Sequence, residues 1–242
     1  MKLFIQTILF FIFACNGFAQ PASDKQRSYE NRKTVSFGVS YQRTGLRKMS
    51  ALLEENGYGK LANGIFLTSM NTTVFFSNRL GFYYELSGGG DWEESTNEKY
   101  KSCSLYRGEL GATYRVLDAK YIAAAACLGF DYSLYTLRLY HAKPDSMMAG
   151  YLAGDVDAKR VKLEQAMINV GAIINVKVKS AHFLAVGGGY RLPLEKSNWT
   201  HEHDDLKDGP SSSLGSWYLQ VRLGVSFRRQ ITQLPDNDTR MN

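Results

Sequence analysis

The residues best suited to chemistry gather in one stretch, His201-Glu202-His203-Asp204-Asp205, with Ser211, Ser212 and Ser213 close behind. Two histidines at i and i+2, backed by carboxylates, are the makings of a transition-metal site. A serine nucleophile, a histidine base and an orienting carboxylate are the parts of acyl hydrolysis or transfer. Ser211–Ser213 with His201 and Asp204 would outline an enzyme of the lipid A acyl hydrolase or transferase type. Neither spacing is diagnostic, and no second ligand cluster lies nearby in sequence. The simpler reading is a solvated acidic loop, with no catalytic residue, no metal and no cofactor.

A second set is spread along the chain: Glu85, Arg107, Glu109, Arg115, Asp131, Lys177, Arg191 and Arg222. Each lies on the polar side of a segment that alternates apolar and polar residues. Such alternation, with aromatic and β-branched enrichment, marks strands. Eight strands are predicted at 34–42, 64–76, 80–90, 102–116, 121–139, 162–177, 182–192 and 215–227, and all five prolines fall outside them. In the last, Trp217, Leu219, Val221, Leu223, Val225 and Phe227 share a wholly apolar face, opposite Tyr218, Gln220, Arg222, Gly224 and Ser226. The second strand, 64–76, has no clear polar face.

The connectors run 21, 3, 11, 4, 22, 4 and 22 residues, so long and short alternate. In an up-and-down barrel this puts all short turns at one end and all long loops at the other. Membrane barrels of bacteria are built this way, with short periplasmic turns and longer extracellular loops. Three strand charges, Arg138, Lys162 and Glu164, leave the polar face, and all three sit near the long-loop ends. Lipid-facing charge is most costly near the bilayer midplane. Tyr41, Phe76, Tyr114, Tyr190, Trp217 and Phe227 fall near strand ends, where aromatic girdles belong. The predicted fold is an all-β, antiparallel, up-and-down eight-stranded transmembrane barrel with the polar face inside. Inside so narrow a barrel, the eight charges would form a static plug of ion pairs or, alternatively, a gated ion path, with basic groups in surplus.

The chain has 242 residues, a formal charge of +6 and a mean hydropathy of −0.28. No internal apolar run approaches the length of a membrane helix. MKLFIQTILFFIFACNGFAQ reads as a secretory signal peptide cut after Ala19, giving residues 1–19 as leader. Lipoprotein processing at Cys15 is the alternative, with Phe13 a poor fit. Residues 20–33 would then be a periplasmic N-terminal segment, 34–227 the barrel and 228–242 a periplasmic tail. Positive charge concentrates in the N-terminal segment, short turns, tail and strands, while the long loops are net acidic, so nucleic acid is not an expected partner. Residues 46–57 read as a loop, with a short amphipathic helix at the headgroup level as the alternative. If the 117–120 turn joins strands four and five, Cys103 faces residue 134 and Cys127 residue 110. That offset of about 23 Å forbids a disulfide, leaving two free inward thiols.

The chain resembles the small outer-membrane β-barrel proteins of Gram-negative bacteria, in particular the barrel-domain family common in Bacteroidota. The resemblance rests on Gly17-Phe18-Ala19-Gln20, on Gly88-Gly89-Gly90 and Gly187-Gly188-Gly189-Tyr190, and on Leu223-Gly224-Val225-Ser226-Phe227. It implies an integral outer-membrane protein, non-enzymatic, structural or surface-interacting through its loops. Its implied partners are outer-membrane lipids, the barrel-assembly machinery and an unidentified extracellular ligand. Trp217–Phe227 would be the insertion signal, although here Arg228–Asn242 follow it. A lipid-modifying enzyme, a narrow channel and a soluble lipocalin-like carrier are the rival readings.

Overall fold

A computed structural model describes residues 31–94, 99–140, 158–178, 181–201, 204–206, 209–210 and 212–229. The expected leader, residues 20–30 and the tail from 230 lie outside the described residues. The elements are β1 (Asn31–Arg43), α1 (Arg47–Glu55), β2 (Gly64–Phe75), β3 (Leu80–Glu94), β4 (Tyr100–Asp118), β5 (Ile122–Tyr140), β6 (Ala158–Lys177), β7 (His182–Pro193), β8 (Trp199–His201), β9 (Asp204–Asp205) and β10 (Trp217–Arg229). β1 starts at Asn31 and β10 runs to Arg229, so the barrel takes residues from both flanking segments expected from sequence.

Eight strands close on themselves, in the order β5-β4-β3-β2-β1-β10-β7-β6, with β6 pairing back onto β5. Every pairing is antiparallel. Direct neighbours run from Val186 through Val221, Val39, Thr68, Gly88, Tyr106 and Leu134 to Glu164 on β6. Val186 also pairs with Ile174, so one circuit advances ten residues along β6. For eight strands that shear corresponds to a tilt of about 40°. Short turns crowd one end of the barrel, here the turn end. α1, β8, β9 and the long connections occupy the other, the loop end.

Side chains sort as the alternation requires. Phe37, Leu86, Leu128, Leu219 and Leu223 point outward, with Leu223 68% exposed. Ser36, Asn71, Glu85, Glu109, Asp131, Asn169 and Arg222 point inward and are buried. A soluble carrier barrel would show the opposite sorting. An apolar exterior around a polar, packed interior is stable against lipid, where exposed backbone is also fully paired by closure. Near the loop end Tyr190, Trp217, Tyr41, Phe66, Tyr106 and Tyr132 ring the outside. The Tyr41 ring lies 5.1 Å from Phe66 and 5.6 Å from Trp217.

Beyond that ring the polarity of the strands reverses. On β5 the inward series passes from Asp131 and Ser133 to Tyr135 and Leu137, while the opposite one passes from Tyr132 and Leu134 to Thr136 and Arg138. On β4 it passes inward from Glu109 and Arg107 to Leu105. On β6, Leu163 faces in and Lys162 and Arg160 face out. The protein is a lipid-phase barrel below the ring and a water-phase domain with an apolar core above it. That reversal accounts for the outward Arg138, Lys162 and Glu164. It also explains the unreadable β2, whose inward Ile65 and Leu67 belong to the upper core while inward Ser69 and Asn71 belong to the lower lumen.

The β4–β5 register corrects the one expected from sequence. Cys103 pairs with Leu137 and Cys127 with Thr113, three residues from the expectation. The hairpin turns tightly, Ala119 N–H donating to Ile122 O at 2.8 Å, and a bulge lies between Arg115 and Leu117. Neither cysteine is in a disulfide.

Candidate functional site

Inward faces of five strands bring together six charges at mid-barrel. Arg107 Nη2 donates to Glu85 Oε1 at 2.8 Å and Nη1 to Gln42 Oε1 at 2.8 Å. Arg222 Nη1 lies 3.1 Å from Glu85 Oε2. Arg191 lies 3.2 Å from Asp131 Oδ2 and 3.4 Å from Glu109 Oε2. Arg107 Nε is 3.9 Å from Glu109. Three carboxylates meet three guanidiniums, so the group is neutral. Neutral hydrogen-bonding groups add to it: Tyr83 Oη and Asn169 Nδ2 each donate to Glu109 Oε1 at 2.5 Å, and Ser133 Oγ donates to Asp131 at 3.2 Å. Arg107 Nε, Arg191 Nε and Nη1 and Arg222 Nε make no hydrogen bond among the described residues and are held by charge alone. The Arg191 guanidinium stacks 3.7 Å from the Tyr218 ring centroid, a favourable cation–π contact. Glycines make room: a Cβ at Gly111 would meet the Tyr83 ring at 2.6 Å, and one at Gly129 would strike its hydroxyl.

The other two predicted members, Arg115 and Lys177, are not part of this group. They meet at the turn end around Asp118, at 2.8 and 2.7 Å, with Arg32 at 3.9 Å. The surplus of basic groups expected inside is therefore at the mouth and not in the centre. Asp118 was not in the predicted set, because the fourth strand was expected to end at 116, which places Asp118 in the 117–120 turn; β4 runs on to it. The bulge at Arg115/Leu117 adds one residue and turns it inward. Burial alone would raise the Asp118 pKa; the Lys177 hydrogen bond and the Arg115, Lys177 and Arg32 charges outweigh it and hold the carboxyl below its ordinary value. Between the two clusters lies a cavity lined by Thr34, Asn71, Thr113, Cys127, Asn175 and Gln220, among others.

Above the six charges the lumen is closed a second time. Residues 46–57, expected as a loop, hold the helix α1, whose Met49 and Leu53 at i and i+4 face inward. Gly57, at φ 80°, ends it in the left-handed conformation. Gly57 N–H then donates to Glu54 O and Tyr58 N–H to Leu53 O, the paired bonds of a Schellman cap. Lys99 and Lys101 donate to the carbonyls of Asn56 and Tyr58. The helix does not rest at the headgroups. It packs into a core with Leu105, Tyr135, Leu137, Leu163, Trp199 and Leu214. Gln42 joins the layers, accepting from Arg107 below and donating to Leu214 O above at 3.2 Å.

The candidate catalytic residues are engaged locally. Ser212 Oγ accepts from Trp199 Nε1 at 3.0 Å and donates to Pro210 O at 3.1 Å. His201 Nδ1 lies 2.8 Å from the Arg160 carbonyl. Glu202, His203 and Ser211 lie outside the described residues. Among the described residues, no three His, Cys, Asp or Glu side chains gather as a metal site.

No family model matches the chain, and no curated protein does. Solved structures do match. A major outer membrane protein of Thermus thermophilus superposes with a TM-score of 0.51 at 11% identity, over 81% of this chain and 99% of that one. The outer membrane protein OprG of Pseudomonas aeruginosa gives 0.51 at 10% identity, over 84% and 99%. The attachment invasion locus protein Ail of Yersinia pestis gives 0.48 at 12% identity, over 82% and 99%. The first two show that the fold is the closed eight-stranded barrel of outer-membrane proteins. The outward apolar belt independently calls for the same setting.

Proposed function

We infer that this protein is an outer-membrane barrel whose role is to hold a folded crown outside the membrane for contact with an extracellular partner. The observation that carries this reading is the double closure of the lumen. A neutral six-charge network seals its middle, and a core with its own helix fills it above. Charges so buried and paired hold a structure rigid; they do not leave a path for ions. The polarity reversal along β4–β6 supports the same reading, since strands continue past the apolar belt only to support a water-exposed domain. The turn end then faces the periplasm. Trp217–Phe227, in the sealing strand, serves as the signal to the barrel-assembly machinery. Within outer-membrane barrels, the glycine-rich segments favour the Bacteroidota-type group.

Two measurements test this. Whole cells treated with a membrane-impermeant maleimide should label Leu52→Cys on α1 and spare Val178→Cys at the turn end, against the unsubstituted protein as blank. The opposite pattern refutes the orientation. Protein reconstituted in planar bilayers should show no steady conductance; a persistent open level refutes the closed lumen.

A further inference from the structure

Outward from β5 and β6, just beyond the aromatic ring, three cations share one face. Arg138 pairs directly with Arg160 across the two strands, and Lys162 is diagonal to Arg138, opposite Thr136. Direct cross-strand neighbours have Cβ atoms about 5 Å apart, and like charges there repel. Arg138 and Arg160 are exposed and Lys162 half-buried. None of the three has a side-chain hydrogen bond or ion pair among the described residues. Two carboxylates border them: Glu164, which shares their face and accepts from the Tyr132 hydroxyl, and Glu195, close enough to act on the same hydroxyl. The patch is thus three positive charges with two carboxylates at its lower edge, one of them engaged by Tyr132.

Directly below, the same face becomes a trough in the apolar belt. Phe37, Met70, Leu86, Tyr106, Tyr132 and Leu134 line it. Its floor is lowest at Gly108, where a Cβ would meet only Leu86, whereas the Tyr106 ring packs against Gly88. Leu134 is four residues from Arg138, about 13 Å along the strand, or about 10 Å in height at the tilt of the barrel. Arginine and lysine lay apolar stems along a surface and carry their charge several ångströms from the backbone. Directed toward the ring, these cations reach the height of lipid phosphates.

We propose that this face binds a phosphate-bearing lipid of the outer leaflet, its phosphate held by Arg138, Arg160 and Lys162 and one acyl chain lying in the Gly88–Gly108 trough. Charge complementarity selects an anion, and the trough directly beneath selects an anion that carries a hydrocarbon chain. The proposal rests on the outer-membrane reading above.

The test reconstitutes the full chain in phosphatidylcholine vesicles with and without lipid A, and measures unfolding temperature and lipid retained in native mass spectrometry. Lipid A should raise the unfolding temperature of the wild type. The triple variant Arg138→Gln/Arg160→Gln/Lys162→Gln should retain at least tenfold less lipid A while unfolding as the wild type does in phosphatidylcholine alone. Gly108→Leu, whose Cβ meets Leu86 at an ordinary 3.7 Å, should weaken retention with all charges present. Equal retention by wild type and triple variant overturns the proposal. So does a full shift produced by inorganic phosphate without lipid, which would make the site one for a free anion. A chain that fails to enter either vesicle refutes the outer-membrane reading, whereas one that enters both without preference refutes only this site.

Discussion

Glu109 is the residue on which the mid-barrel network turns, and Glu109→Gln isolates its charge from its shape. Glutamine keeps the volume and still offers an oxygen to Tyr83 and Asn169, the two donors at 2.5 Å. What disappears is the attraction to Arg191 at 3.4 Å and Arg107 at 3.9 Å. At an effective dielectric of about 20 these are worth about 5 and about 4 kcal/mol. Much of that is offset because the carboxylate no longer has to be stripped of water. Three guanidiniums would then face two carboxylates in a closed space, and breaking one side of a buried pair costs about 3–5 kcal/mol. Arg191→Gln should cost a similar amount, since Arg191 is the cation bridged to Asp131, at 3.2 Å. The double variant restores neutrality, so its loss should fall short of the sum of the two by at least about 1.5 kcal/mol, as expected for directly coupled groups. Urea unfolding in phospholipid vesicles, followed by tryptophan fluorescence, gives all four stabilities. A Glu109→Gln loss under about 1 kcal/mol, or strict additivity in the double variant, would refute the account of a charge-balanced plug.

Other expectations follow from the same geometry. Leu223→Arg puts a charge on the lipid face of β10 and should cost about 2–4 kcal/mol in the same unfolding assay, while a soluble protein would tolerate it at a position 68% exposed. Leu137→Ala, fully buried in the upper core, should cost about 2–5 kcal/mol and speed proteolysis of the loop end while the lower barrel stays protected. Asp118 has a folded pKa held below its ordinary value of about 3.8, so the unfolded chain binds its proton first. Its contribution is complete above that pH and fades as pH falls through the lower folded value. Wild-type stability should therefore decline on acidification below about pH 4 more steeply than that of Asp118→Asn; parallel curves would contradict the cluster.

How much of this was legible in the sequence depends on where each residue sits relative to the aromatic ring. Below it one rule holds: apolar out, polar in. The alternation of β10 states it plainly, and the long–short order of connectors closes the barrel. The six central charges follow from the same rule. It was not applied to Asp118, which the expected strand end at 116 left in a turn; β4 runs on to 118, and one bulge residue, which no residue type announces, turns Asp118 inward. It failed above the ring, where α1 carries an apolar stripe of only Met49 and Leu53 and takes its place from a core assembled by distant strands. β8 and β9, at three and two residues, are too short for a period to register.

The reversal of polarity bears on what the upper domain can do. A barrel confined to the bilayer offers the outside only loops, whose shape depends on their own weak contacts. Here β4, β5 and β6 continue past the aromatic ring, and the core with α1 packs on their ends. Gln42 and Gln165 tie that core to the lumen, one donating to Leu214 O and the other accepting from Leu214 N–H at 2.7 Å. A pre-ordered crown loses less entropy on contact than a set of mobile loops, so a partner can bind it tightly through a small area. Gln165→Leu separates the crown from the seal beneath it. The variant keeps the side-chain size but strands the Leu214 N–H, which should loosen the segment between β9 and β10 without opening the lumen. Hydrogen exchange would then rise around Leu214 while bilayer conductance stays absent. Conductance appearing in Gln165→Leu would mean that the crown is itself the seal and that the six-charge network beneath it leaves a path.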